Sequence, residues 1–116
     1  MTSPARIGYV DRHGHRINRT TWRALSARPE YVVIASDLVD LAGGRAPVIT
    51  IWLGLYLPAR EAPVFETVLH PIGGARARTW RWSCLADART GHQDVVCELA
   101  SSRLSHDRTG GAGQDR

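Results

Sequence analysis

Three arginines and two tryptophans interleave in Arg76-Ala77-Arg78-Thr79-Trp80-Arg81-Trp82, the stretch of this 116-residue chain best equipped for recognition chemistry. Cations that track a phosphate backbone and flat rings that stack on bases are what a single-strand-binding face needs. The competing reading is that two Trp on one face of a strand beside an amphipathic helix are ordinary core. Solvent exposure of Trp80 and Trp82 separates the two.

His92 is the other residue with chemical potential, because it lies beside Gly91 on the apolar stripe of a helix. It is either a general base or ligand, or a core-edge histidine bonded to a strand carbonyl or to Glu66. His13 and His15 sit in a turn with no third ligand in reach. Asp37 and Asp40 have the types for acid–base work, but a strand end running into Gly43-Gly44 accounts for both. Cys84, His92 and Cys97 have no zinc spacing, so both cysteines are expected as free, partly buried thiols in a reducing cytoplasm. No glycine-rich phosphate loop and no nucleophile–base pairing are visible. The reading is therefore of a protein that is not an enzyme, with no catalytic residue, cofactor or metal.

All 15 basic residues are Arg, and the formal net charge is +4. Guanidinium groups suit phosphate and carboxylate recognition, although a GC-rich coding sequence produces the same bias. The charge is uneven: six Arg against one acid in residues 1–28, two against five in 29–75, and seven against five in 76–116. The length fits one domain, read as 1–104, followed by a polar, disordered tail over 105–116. The longest apolar run, Ala46 to Pro58, falls well short of the ~20 residues that span a bilayer. No signal-like segment opens the chain, so a cytoplasmic protein is expected.

Around that apolar run the elements arrange themselves. It reads as a central strand with Ile49, Ile51, Leu53 and Leu55 on one face and Val48, Thr50, Trp52 and Tyr56 on the other. Residues 7–17 read as a hairpin turning at Asp11 to Gly14, and 18–29 as a short helix capped by Thr20 or Thr21 and ended by Pro29. A strand over 31–41 precedes the central one. Residues 58–63 read as a polar connection, 63–70 as a third strand, 71–78 as a basic turn and 79–83 as a fourth strand. A helix from about Cys84 to Arg103, capped by Ser83, carries Ala88, His92, Val95, Val96, Leu99 and Arg103 along one stripe. Gly91 inside it points to close approach, under a Trp. The expected fold is α+β: a four-stranded antiparallel meander packed against the C-terminal helix, with the N-terminal hairpin and helix over part of the second face or an edge.

Several of these segments resemble small uncharacterised proteins of actinobacterial phages and integrated mobile elements. The resemblance is carried by the Asp11 to Gly14 turn, Trp22, Thr50-Ile-Trp-Leu-Gly-Leu55, Val64-Phe-Glu-Thr67, Trp80-Arg-Trp-Ser83 and the helix from Ala88 through Gly91-His92 to Val96. It implies a shared fold and a mobile-element origin, and no particular activity. Similar proteins follow Trp-Leu-Gly-Leu with an Asp-His pair and a glycine loop, where this chain has Tyr56-Leu57-Pro58, which argues against an essential ligand there. Should cover of the second face fall short, Trp52 and Tyr56 would form an apolar patch for a partner or a homodimer. The leading expectation is thus a small accessory protein that binds a host or phage macromolecule, one form being interference with a host defence or regulatory complex. The alternative is a nucleic-acid-binding module using Arg76, Arg78 and Arg81 with the two Trp.

Overall fold

The computed structural model describes residues 7–56, 64–70 and 76–112, with side chains as far as 101. The connection expected at 58–63, most of the turn expected at 71–78 and the side chains of the expected tail 105–116 lie outside the described residues. In chain order the elements are β1 (Gly8–Val10), β2 (Arg16–Ile17), α1 (Arg19–Ser26), α2 (Pro29–Val32), β3 (Val33–Leu41), β4 (Gly44–Trp52), β5 (Leu55–Tyr56), β6 (Phe65–Leu69), β7 (Arg78–Trp82) and α3 (Leu85–Ala112). The architecture is α+β. Strands β3-β4-β6-β7 form an antiparallel sheet in that order, α3 packs on it, and β2-β1-β5 form a second, smaller sheet.

The long apolar run is not one strand. β4 ends at Trp52, and Gly54 takes a positive φ of 71° that turns Leu55 and Tyr56 away to pair with β1, Gly8 opposite Tyr56 and Tyr9 opposite Leu55. A Cβ at position 54 would overlap the Trp52 ring and approach the Val10 carbonyl at 2.8 Å. Only glycine fits a site that is both left-handed and covered by an indole. The break places Trp52 and Tyr56 in different sheets, so the patch expected from the two together does not form.

The N-terminal elements are held locally by caps. Asp11 Oδ1 accepts the amides of His13 and His15, each at 2.9 Å, closing the β1–β2 turn in which Gly14 has φ of 87°. Asn18, rather than either threonine, caps α1 by accepting the Thr21 amide at 2.8 Å. Pro29 does more than end α1: it opens α2 at a first-turn position where its missing N–H costs nothing, so β3 begins at Val33.

Cross-strand register fixes the faces of the large sheet. Ala46, Val48, Thr50 and Trp52 of β4 alternate with Pro47, Ile49 and Ile51. The first set, with Val39, Phe65, Thr67, Leu69, Trp80 and Trp82, lies under α3, whose Ala88, His92, Val95 and Leu99 are buried against it. Gly91 is where helix and sheet come closest, since a Cβ there would overlap the Trp82 ring. Cys84, rather than Ser83, occupies the cap: its Sγ accepts the Asp87 amide at 3.4 Å.

The N-terminal hairpin and helices do not cover the second face. Ile17, Trp22, Leu25, Tyr31, Val32 and Ile34 gather around Trp52, Phe65 and Ala88, on the side α3 occupies. They extend the covered layer past the end of β4. Trp22 Nε1 donates to the Leu53 carbonyl at 2.9 Å, pinning α1 to the turn after β4, and Trp52 Nε1 donates to the Val10 carbonyl at 3.0 Å, pinning the small sheet to the large one. Among the described residues, no helix is long and apolar enough to cross a membrane.

Candidate functional site

His92 is fully buried, and its ring bridges two strands. Nδ1 lies 2.7 Å from Thr50 Oγ1 and Nε2 lies 2.7 Å from Asp37 Oδ2. Thr50 is hydrogen-bonded to its register partner Thr67, which accepts from Trp82 Nε1 at 2.9 Å. Trp82 Nε1 can only donate, so Thr67 accepts there. One arrangement that satisfies the whole network has Thr67 donating to Thr50, Thr50 donating to Nδ1, and a ring hydrogen on Nε2 directed at the Asp37 carboxylate. Every member is satisfied, which a buried polar group requires.

The order Asp37–His92–Thr50 is that of a carboxylate, imidazole and hydroxyl relay. Burial decides against its use as one: Thr50 and His92 are both 0% exposed, so neither the hydroxyl nor the ring can meet a substrate. Only Asp37, with 47% of its side chain exposed, reaches water. The seam instead ties α3 to all four strands of the large sheet, with Asp37 in β3, Thr50 in β4, Thr67 in β6 and Trp82 in β7. The expectation for His92 is corrected in its partners, which are a hydroxyl and a carboxylate rather than a strand carbonyl or Glu66. Asp37 and Asp40 are no pair, because Asp40 faces the other side and bonds Arg45 at 3.2 Å.

The interleaved Arg/Trp stretch is divided by the strand pleat. Trp82 is half-buried, with its ring against Gly91 and its N–H on Thr67. Trp80, also half-buried against the core, has the Arg78 guanidinium 4.8 Å from its ring centre. Arg76 is exposed. Arg81 points to the opposite face, with Nε 3.3 Å from Glu66 Oε2. A surface alternating rings and cations is therefore not formed; what exists is Arg78 stacked on one partly covered Trp80, with Arg76 exposed two residues before Arg78 in the chain.

Trp52 is 2% exposed and so cannot touch a partner. Tyr56 is half-buried in the small sheet, where Arg16 stacks 4.3 Å from its ring centre. His13 and His15 are exposed in their turn, and both cysteines are free and exposed rather than partly buried. Among the described residues, no three His, Cys, Asp or Glu side chains converge as a metal site would need.

The surface that sequence reasoning missed is the second face of the large sheet. Leu38, Pro47, Ile49, Ile51 and Val68 share it by register, and none of them joins either core cluster. Leu38 is 61% exposed, and Val33 at the same edge 40%. Its polar members are Ser36, Thr79 and the Glu66–Arg81 and Asp40–Arg45 pairs. The available signal was Ile49 and Ile51 alternating with Thr50, but it was read with the faces the wrong way round. Compared with family models, with curated proteins and with solved structures, the chain finds no match.

Proposed function

We propose that this protein is a small non-enzymatic binding module that engages a protein partner through the uncovered face of its large sheet. The observation that carries the reading is the apolar set Leu38, Pro47, Ile49, Ile51 and Val68, left outside both core clusters. Contiguous apolar surface of this kind, rimmed by ion pairs, marks interaction sites. The burial of Thr50 and His92 favours binding over catalysis. The resemblance to phage and mobile-element proteins makes a host or phage macromolecule, met in the cytoplasm, the partner within this proposal, and interference with a host complex one form of its action.

The experiment is capture from a bacterial host lysate with the tagged protein and with a Leu38→Glu/Ile49→Glu variant, each with and without nuclease. A stoichiometric protein held by the wild type, resistant to nuclease and lost from the variant, is the expected result. Equal capture by the variant overturns the assignment of the face. Self-association that depends on concentration and disappears in the variant would make a second copy the occupant.

A second reading, nucleic-acid binding, is favoured by Arg78 stacked on Trp80, with Arg76 exposed two residues before Arg78 in the chain. It predicts capture that nuclease abolishes, and affinity that falls steeply with salt and is lost on removing the charges of Arg76 and Arg78.

A further inference from the structure

The turn between β1 and β2 faces the first turn of α3 across a cavity of about 350 Å³. Arg12 and His13 line it on one side and Ser83, Cys84 and Arg89 on the other, over an apolar floor that includes Val64. This is a size that holds a small organic ligand. Among the described residues, no carboxylate lines it. The nearest acid in the turn, Asp11, is occupied by the His13 and His15 amides.

Arg12 is held in place from behind. Its amide donates to the Tyr31 hydroxyl at 2.8 Å, and its guanidinium lies 5.2 Å from the centre of the Tyr31 ring. Stacking of this kind fixes the plane of the guanidinium fork. Its Nε is buried and, among the described residues, has no hydrogen-bond partner. Neither Arg12 nor Arg89 is paired with a carboxylate among the described residues.

The opposite wall adds donors. In the first turn of α3, Cys84 takes up the amides of Asp87 and Ala88 through its Sγ and carbonyl. Leu85 and Ala86 also line the cavity, and their amides, at the start of the helix, have no acceptor within it. Two arginines beside a helix N-terminus, around an uncharged floor, are chemistry for an anion such as a phosphate group.

We propose that this cavity binds the phosphate group of a small phosphorylated molecule, with Arg12 and Arg89 as its cationic ligands. The apolar floor receives the organic part. The site lies among the N-terminal hairpin and the start of α3, so it is separate from the uncovered face of the sheet.

The chain carries its own reporter. Cys84 lies in the cavity wall, whereas Cys97 is exposed on the same helix about 20 Å further along at 1.5 Å per residue. Alkylation of each thiol by iodoacetamide is followed by mass spectrometry, at constant ionic strength, with adenosine monophosphate, inorganic phosphate or adenosine added. The expected result is at least threefold slower modification of Cys84 with adenosine monophosphate, Cys97 unchanged, and no effect of adenosine. Protection by inorganic phosphate as well would assign the recognition to the phosphate group alone. Protection should be lost in Arg89→Gln, an exposed helix position that leaves folding intact, and in Arg12→Gln. Cys84 modified at one rate with and without millimolar phosphate compounds overturns the proposal. So does equal slowing of both cysteines, or protection that survives both substitutions.

Discussion

The two faces of the large sheet are built from the same strands and invert the usual distribution. The face under α3 holds Thr50, Thr67 and His92, all fully buried, while the face left open holds Ile49, Ile51 and Val68 between its ion pairs. Hydropathy along β4 would bury the isoleucines and expose the threonine. The reverse holds because burial is decided by what an element packs against. α3 brings an imidazole to the sheet, a buried imidazole needs two partners, and Thr50 and Asp37 provide them. What distinguishes the faces is therefore saturation of polar groups on one and, among the described residues, absence of cover on the other.

Removing a large side chain from each face gives the greatest contrast. Trp52 is enclosed, stacks edge-on against Tyr31 at 5.0 Å and bonds Val10. Trp52→Ala should cost about 3–5 kcal/mol, read from thermal or denaturant melts. Ile51→Ala, one residue back on the same strand, should cost about 1 kcal/mol or less. Equal losses would mean that the second face is covered after all.

His92→Leu tests the polar seam. It leaves the Thr50 hydroxyl buried without its acceptor, a loss of about 1–3 kcal/mol. Adding Thr50→Val and Thr67→Val removes both hydroxyls but also the acceptor of the half-buried Trp82 N–H, so the triple variant should recover only part of the stability lost in His92→Leu. Additive losses instead would show that packing rather than hydrogen bonding holds the face. Gly91→Ala comes next: it gains about 1 kcal/mol of helix propensity, but its methyl must displace a Trp82 ring tied to Thr67, an overpacking cost of about 1–3 kcal/mol. A net loss is expected, and Trp82→Leu should turn the same change into a gain.

Much of this was legible in the residues. The stripe Ala88, His92, Val95, Leu99 has the spacing of one helix face, Gly91 inside it announced a close contact, and the period of two in Phe65, Thr67 and Leu69 assigned β6 correctly. The Gly54 break was hidden inside an apolar run, because Leu53 and Leu55 continue the strand pattern while the reason for the turn is an indole that only the fold brings there. The Asp37–His92 pairing spans 55 positions, and no local spacing encodes it. The cavity at the start of α3 joins residues from three distant segments, so Arg12 and Arg89 gave no common signal.

Acid should loosen the hairpin beside the large sheet. Partial burial works against the Asp11 carboxylate, yet the amides of His15 and His13, with the His15 side chain, hold its pKa below the usual value. A depressed carboxylate contributes stability that is complete above the unfolded value of about 3.9 and is lost as pH falls through the folded one. Amide exchange in residues 8–17 should accelerate below about pH 4 before that of β4 does, and Asp11→Asn should remove the difference.

The smallest effect on stability is the most informative about the open face. Ile49→Thr and Ile51→Thr keep β-branching, so the strand geometry is retained. Neither side chain belongs to a core cluster, so little apolar contact is lost. Each change should move the melt by no more than about 0.5 kcal/mol. The same pair of hydroxyls placed in the middle of a protein interface would face a desolvated surface with no partner, where an unsatisfied group costs about 1–3 kcal/mol. Unchanged folding with partner capture reduced tenfold or more is therefore the signature of a docking face. A double variant that loses stability as Trp52→Ala does would place these isoleucines in the core.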